Sequence, residues 1–129
     1  MEGLKAQDLR RTNIIYFPFH DENVEVIGLP VKDGDSKEYV QIKTQGTVLM
    51  EELKYFKPIT LTEEWLIKFG FKKYRGNFYG DYILNGYKLD EQFKFFVQGS
   101  SVVLRELKYV HQLQNLYYSL TGKELVMDN

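Results

Sequence analysis

The chain has 129 residues, no cysteine, and 17 Lys and Arg against 18 Asp and Glu, so its formal net charge is -1 at pH 7. That length fits one domain that can bury a core without disulfides or a metal. The lack of cysteine excludes disulfides, thiolate zinc sites and cysteine nucleophiles. The balanced charge argues against a protein whose whole surface wraps nucleic acid.

The first half of the chain is predicted to form four short strands. The runs are residues 13–19, 24–29, 38–44 and 47–50, separated by turns rich in Asp, Asn and Gly. Val40 and Ile42 alternate with polar residues and should therefore share a buried face. This spacing predicts an antiparallel, β-rich N-terminal lobe over residues 1–57, either an open meander or a small SH3-like barrel.

A short helix is predicted to open a second lobe, which covers residues 58–129. Thr62 has the position of an N-cap, and Gly70 is placed to end the helix after about two turns. Trp65 lies among the apolar positions of this helix and is predicted to be a buried core anchor.

A β-meander and a C-terminal helix complete the predicted second lobe. Residues 71–103 form the meander, with turns at 75–77 and 85–86, and Val102 and Leu104 alternate as in a further strand. The helix over about 107–120 should pack on the sheet. We therefore predict a single compact domain of the α+β class, with no membrane span and no secretory signal.

Sequence motifs for catalysis and metal binding are absent. The pair Asp33 and Asp35 begins like a calcium loop, but Lys37 stands where a third oxygen ligand belongs. His20 and His111 lie far apart and outside any ligand-spaced motif. No Gly-x-Ser-x-Gly elbow or Walker pattern occurs. We predict no enzyme activity, no metal site and no cofactor.

The best candidate for ligand binding lies around residues 72–79, because the window 65–80 contains four bases and no acid. Bases interleaved with aromatic residues can grip phosphates and stack on nucleobases. We predict an anionic, base-containing ligand, with Arg75 and Lys73 on phosphate and Tyr79 stacking on the base. The predicted contacts are Lys72, Lys73, Tyr74, Arg75 and Tyr79. The alternative is a strand with an aromatic core face and an edge protected by lysines.

A second candidate surface lies on the C-terminal helix. Its apolar stripe comprises Tyr109, Val110, Leu113, Leu116, Tyr117 and Leu120. Four other residues fall together on a different face, namely Leu107, His111, Gln114 and Tyr118. We predict that this face self-associates, as in the common two-fold dimers, or docks another partner. The alternative is a helix packed on two sides within one chain.

Two stretches of the sequence carry a resemblance. They read PITLTEEWLIKFGF over residues 58–71 and LKYVHQLQNLYYSLTGKEL over residues 107–125. Both resemble a family of small uncharacterised proteins of Bacteroidetes phages and prophages. Residues 9–13 are similar to that family's Leu-Arg-x-Gly-Asn opening, with Thr12 in place of the glycine. The resemblance implies a viral protein acting in the cytoplasm of a host bacterium, and it carries over no reaction or site residue.

Three functions from different classes are open at this point. The first is a non-enzymatic binder that counters host defence by sequestering a signal nucleotide or masking a host protein. The second is a nucleic-acid accessory module that uses residues 72–79, and the third is an enzyme with an unrecognised site. The balanced charge disfavours the second, and the missing catalytic motifs disfavour the third. We therefore predict the first, as a homo-oligomer without membrane or cofactor.

Overall fold

The structure is a computed structural model that describes residues 3–32, 34, 36–76 and 79–127, with the side chains of residues 29, 75, 76, 79 and 80 also outside the description. The chain divides into two units, Met1–Ile59 with Tyr109–Glu124 and Thr60–Lys108 with Leu125–Asn129. The predicted lobes differ from these units over the C-terminal helix, which groups with the first sheet. Strands and helices occur together, and the predicted α+β class is confirmed. The single domain stays a prediction.

The first unit is built on an antiparallel sheet of four strands in sequential order. These are β1 (Ile14–Phe17), β2 (Glu22–Lys32), β3 (Glu38–Thr44) and β4 (Thr47–Glu52). Val40 and Ile42 are fully buried, as their alternation predicts. Gln45 and Gly46 join β3 to β4 with φ of 48° and 81°, the left-handed pair that suits a tight hairpin.

The first sheet is curled. After β4, a 3-10 helix (Leu53–Tyr55) turns the chain so that Lys57 comes to lie against β1. There Tyr16 and Lys57 exchange two N–H···O hydrogen bonds of 2.9 Å each. The chain after β4 thereby pairs with part of the free edge of β1, which an open meander would leave bare.

The turn between β1 and β2 comes earlier than predicted. A 3-10 helix over Pro18–His20 ends β1 at Phe17, and Asp21 follows with φ of 46°. Pro18 has no N–H to give to a strand ladder, so the strand stops before it. Strand β2 therefore begins at Glu22, inside the predicted turn.

The C-terminal helix, α2 (Val110–Thr121), contacts β1 in the first unit, and its predicted packing on a sheet is confirmed. It begins three residues later than predicted, where the side chain of Gln112 accepts the N–H of Tyr109 at 3.0 Å. Gly122 ends it with φ of 72°, a left-handed conformation that glycine adopts without strain. Leu120, predicted to lie in the apolar stripe, is exposed.

The second unit begins with helix α1 (Glu63–Lys68). Thr62 occupies the N-cap position, and Gly70 follows the helix with φ of 93°. Leu66 and Phe69 are buried, whereas Trp65 is only partly buried, with its ring 5.9 Å from that of Phe69. The predicted core anchor Trp65 is therefore buried only in part, and Leu66 and Phe69 are the buried apolar residues at this helix.

A five-stranded antiparallel meander follows α1, again in sequential order. Its strands are β5 (Lys72–Gly76), β6 (Tyr79–Leu84), β7 (Tyr87–Leu89), β8 (Lys94–Val97) and β9 (Arg105–Glu106). Asn85 and Gly86 form the predicted hairpin turn, with φ of 49° and 87°. The predicted turn at 75–77 includes residue 77, which lies outside the described residues.

The predicted strand through Val102 and Leu104 is wrong. These residues are exposed and irregular, and β9 comprises only Arg105–Glu106, although the N–H of Leu104 also donates to the carbonyl of Phe95 on β8 at 2.8 Å. Ser100 gives a physical reason, because its hydroxyl accepts the N–H of Val102 at 3.1 Å and diverts that donor from a strand ladder. The alternating apolar residues Val102 and Leu104 are therefore both exposed and form no buried face.

Candidate ligand-binding site

The predicted ligand segment lies on β5, the edge strand of the second sheet, as the alternative interpretation predicts. In the pairing with β6, Lys72 lies opposite Ile83, Lys73 opposite Tyr82 and Tyr74 opposite Asp81. Residues directly opposite each other share a face. The register therefore separates Lys73 from Lys72 and Tyr74.

Lys73 lies at the border of the buried face of the second sheet. Its ammonium is 3.4 Å from the Glu63 carboxylate and 5.8 Å from the centre of the Tyr82 ring. Burial raises the pKa of Tyr82, and the charge and hydrogen bond of Glu63 raise it further. A phosphate held by Lys73 would meet the carboxylate of Glu63, so its contacts do not suit the predicted phosphate role.

Arg75 and Tyr79 are described only by their backbone. Arg75 pairs with Gly80, and Tyr79 pairs with Gly76, at the end of the hairpin where the chain passes from β5 to β6. Their side chains lie outside the described part of the chain. The roles predicted for them, phosphate binding and stacking, stay predictions.

Lys72 and Tyr74 belong to the opposite face of the second sheet, which we name the lysine face. It comprises Lys72, Tyr74, Asp81, Ile83, Lys88 and Phe96. One row of it runs in direct register across four strands, from Lys72 through Ile83 and Lys88 to Phe96. Neighbouring strands are about 4.8 Å apart, so the backbones of Lys72 and Lys88 are about 10 Å apart.

Sequence reasoning missed Lys88 and Phe96. The Lys88 ammonium lies 4.9 Å from the centre of the Phe96 ring, within the range of a cation–π contact. Both residues are far from Lys72 in the sequence and join its row only through the fold, Lys88 across two successive strand pairings and Phe96 across three. The Asn85-Gly86 turn was the one signal that could have placed Ile83 near Lys88.

A shallow cavity of about 350 Å³ opens beside the lysine face. It is lined by Asp81, Lys88, Asp90, Glu91, Gln92 and Phe96. Asp90 shapes its rim, since one carboxylate oxygen accepts the N–H groups of Gln92 and Lys94, each at 2.9 Å. The volume lies at the small end of the range for small-molecule sites.

The chemistry of the lysine face suits an anion that also carries an aromatic ring. Tyr74 is 60% exposed, so its ring is available for stacking. The ammonium groups of Lys72 and Lys88 supply positive charge, and the half-buried Asp81 supplies a hydrogen-bond acceptor at the cavity wall. Sequence reasoning identified Lys72 and Tyr74 of this set and missed the rest.

The predicted partner face of α2 is largely buried. Leu107, His111 and Gln114 are each 5% exposed or less, and only Tyr118 is at the surface, at 41%. The side-chain oxygen of Gln114 accepts the N–H of Ile14 at 2.9 Å, and its nitrogen donates to the carbonyl of Thr12 at 3.0 Å. The four residues therefore do not form one surface, because Gln114 is used inside the chain to satisfy backbone groups. Burial instead supports the alternative of a helix packed on two sides.

A polar cluster joins the segment before β1 to α2. The Arg10 guanidinium lies 2.6 Å from the Glu124 carboxylate and 4.2 Å from the centre of the Tyr118 ring. Asn115 accepts hydrogen bonds from Arg10 at 3.1 Å and from the fully buried Asn13 at 2.7 Å. We name Arg10, Thr12, Asn13, Asn115 and Glu124 the N-terminal clasp; its contacts hold the start of the chain on the helix.

Thr12 adopts φ of 77° in this clasp, a conformation that β-branched residues rarely take. This is the position at which the resembling motif has glycine. The Thr12 hydroxyl donates a hydrogen bond to Glu124, which helps to hold the turn. The turn at residue 12 is therefore left-handed although its side chain is β-branched.

Metal-binding clusters and membrane-spanning helices are both absent from the described residues. No three His, Asp or Glu side chains in the described ranges are grouped so that they could hold a metal ion. None of the helices in that part of the chain is long and apolar enough to cross a membrane. Comparisons with protein-family models, with curated proteins and with solved structures find no match to the chain.

Proposed function

We propose that this chain is a non-enzymatic binding protein that holds a small, anionic, base-containing ligand on the lysine face. One observation carries the proposal: Lys72 and Lys88 flank Ile83 on the face that also presents the exposed ring of Tyr74. Ammonium groups attract phosphate, and an exposed tyrosine ring offers a surface for a nucleobase. A nucleotide combines the two groups that such a face can bind.

The charge around the face favours a small ligand over a nucleic-acid strand. Asp81 lies within the face, and Asp90 and Glu91 line the adjoining cavity. These carboxylates would repel successive phosphates of a polymer, whereas a ligand with one or two phosphates can avoid them. The formal net charge of -1 points the same way.

The biological setting is part of the proposal. It rests on the resemblance of residues 58–71 and 107–125 to small proteins of Bacteroidetes phages and prophages. In the cytoplasm of a host bacterium, a stoichiometric binder could counter defence by removing a signal nucleotide. Masking of a host protein is the second form of the same function, and a nucleic-acid accessory role is the alternative.

Calorimetric titration with mono-, di- and cyclic nucleotides tests the proposal. The variants are Lys72→Ala and Lys88→Ala, and the matched control is Lys43→Ala, an exposed lysine on β3 of the first unit. We expect one nucleotide to bind with one site per chain. Each site variant should weaken it about tenfold, the effect of losing one charge-assisted contact of about 1.5 kcal/mol. The control should bind like the wild type.

Two results would count against this site. If no nucleotide gives heat, the ligand class is wrong. If binding survives in Lys72→Ala and Lys88→Ala but fails in Arg75→Ala, the ligand instead contacts the end of the hairpin where β5 is connected to β6. The salt dependence of affinity distinguishes a nucleic-acid ligand from a small nucleotide. Contacts to many phosphates make affinity fall steeply as salt rises, whereas contacts to one or two phosphates give a shallow dependence.

A further inference from the structure

We infer that Asp81 makes the lysine face selective for a ribose over a deoxyribose, an inference that rests on the proposed function. Asp81 lies directly opposite the exposed Tyr74 and lines the cavity together with Lys88 and Phe96. It is thus the carboxylate within the lysine face itself. A carboxylate at that point needs a partner that donates hydrogen bonds.

The strand register places Asp81 where the sugar of a nucleotide would lie. Tyr74 and Lys72 are two residues apart on β5, with Asp81 opposite the first and Ile83 opposite the second. Two residues of strand span about 6.8 Å. A base stacked on Tyr74 and a phosphate at the row of Lys72 and Lys88 leave the sugar between them, in front of Asp81 and Ile83.

The chemistry of the carboxylate fixes both the orientation and the kind of sugar. An ionised carboxylate accepts hydrogen bonds and donates none, and it repels phosphate. The phosphate is therefore directed to the lysine row, and the groups that meet Asp81 must be hydroxyl or amino donors. A ribose offers a 2′-hydroxyl that deoxyribose lacks, and acidic side chains accept from this hydroxyl in dinucleotide sites.

The half-buried position of Asp81 makes this contact selective. A carboxylate fully in water would find water as a substitute for the missing hydroxyl. Beside Ile83 and the ring of Phe96, less water can reach it, so a deoxyribose would leave the carboxylate poorly satisfied. Loss of one hydroxyl should therefore cost more here than at an open surface.

The test is calorimetric titration of the full chain with ADP and GDP and with their 2′-deoxy counterparts. On the wild type, we expect the deoxy ligand to bind at least tenfold more weakly than its ribose counterpart. Asp81→Ala, which removes the acceptor oxygens, should reduce that ratio to less than threefold. Glu91→Gln is the matched control, because it removes a charge from the same cavity and should keep the full ratio.

The outcomes separate this inference from the proposed function. Equal binding of the ribose and deoxy ligands by the wild type overturns the inference, as does an unchanged ratio in Asp81→Ala. In both cases the proposed function stands, provided that binding still depends on Lys72 and Lys88. If none of the four ligands binds, the inference fails, and the full nucleotide panel decides the proposed function. The comparison of ribose and deoxyribose ligands on the wild type does not depend on whether any variant folds.

Discussion

Replacing Thr12 by glycine and, separately, by alanine tests the turn that holds the N-terminal clasp. Thr12 has φ of 77°, in the left-handed region. There a side chain with a Cβ costs about 1–2 kcal/mol, and glycine escapes this cost. Both variants lose the hydrogen bond from the Thr12 hydroxyl to Glu124, so that loss cancels when the two are compared.

The magnitude follows from two opposing effects. Glycine gains the relief of about 1–2 kcal/mol but loses about 0.5–1 kcal/mol through the greater freedom of its unfolded chain. The balance predicts that Thr12→Gly is more stable than Thr12→Ala by roughly 0.5–1 kcal/mol. At an ordinary strand position such as the exposed Thr47, the order should be reversed.

Urea unfolding of the four variants at positions 12 and 47 measures these differences. The diagnostic result is the inversion: glycine above alanine at position 12, and alanine above glycine at position 47. If alanine is at least as stable as glycine at both positions, the chain does not hold residue 12 in the left-handed conformation. The explanation of the clasp would then be wrong.

Three further sets of variants test the contacts of Gln114, the pKa of Tyr82 and the packing of helix α1. Gln114→Ala should destabilise the chain by about 2–4 kcal/mol in urea unfolding, since it leaves two buried backbone groups without their partner; a loss below 0.5 kcal/mol would show that water replaces it. Glu63→Gln should lower the pKa of Tyr82 only part of the way to the ordinary 10.0, because burial is the larger cause of the raised pKa. Ultraviolet titration of the tyrosines measures this pKa. A return of the Tyr82 pKa to 10.0 would contradict the prediction. Because that pKa is raised, stability should fall as the pH rises above about 10, and less so in Glu63→Gln. Leu66→Ala, at a fully buried site, should cost about 2–5 kcal/mol and more than Trp65→Ala; the reverse order would place Trp65 in the core after all.

Local signals in the sequence identified much of the fold. The turns at Gln45-Gly46 and Asn85-Gly86 and the helix end at Gly122 need left-handed backbone, and the glycines and Asn85 adopt it at little cost. Alternation predicted the buried face at Val40 and Ile42 correctly. Alternation failed at Val102, where a single serine hydroxyl takes the N–H that a strand would have used.

The ligand segment shows why a site is harder to predict than an element. The window 65–80 contains no acid, but Glu63 and Asp81 lie just outside its two ends. Both return to the segment in the fold, Glu63 as the ion-pair partner of Lys73 and Asp81 as the cross-strand neighbour of Tyr74. A count of charges along a sequence window cannot include acidic residues that come close to the window only when the strands and the helix pack.

The predicted partner face of α2 is largely buried for a related reason. Helical periodicity groups His111 with Gln114 but does not say whether a polar face meets water or backbone. Here the amide of Gln114 satisfies the N–H of Ile14 and the carbonyl of Thr12, two groups about a hundred residues away. The sequence of the helix alone does not indicate that these distant backbone groups bind Gln114.

Native mass spectrometry of the protein purified from the cells that produce it tests the central claim most directly. The account predicts one nucleotide-sized adduct per chain, carried through purification by the wild type and by Lys43→Ala. The adduct should be lost when Lys72 and Lys88 are both replaced by alanine. A wild-type chain that carries only a polynucleotide or a protein partner, or a nucleotide that the double variant retains, would contradict binding of a small nucleotide on the lysine face.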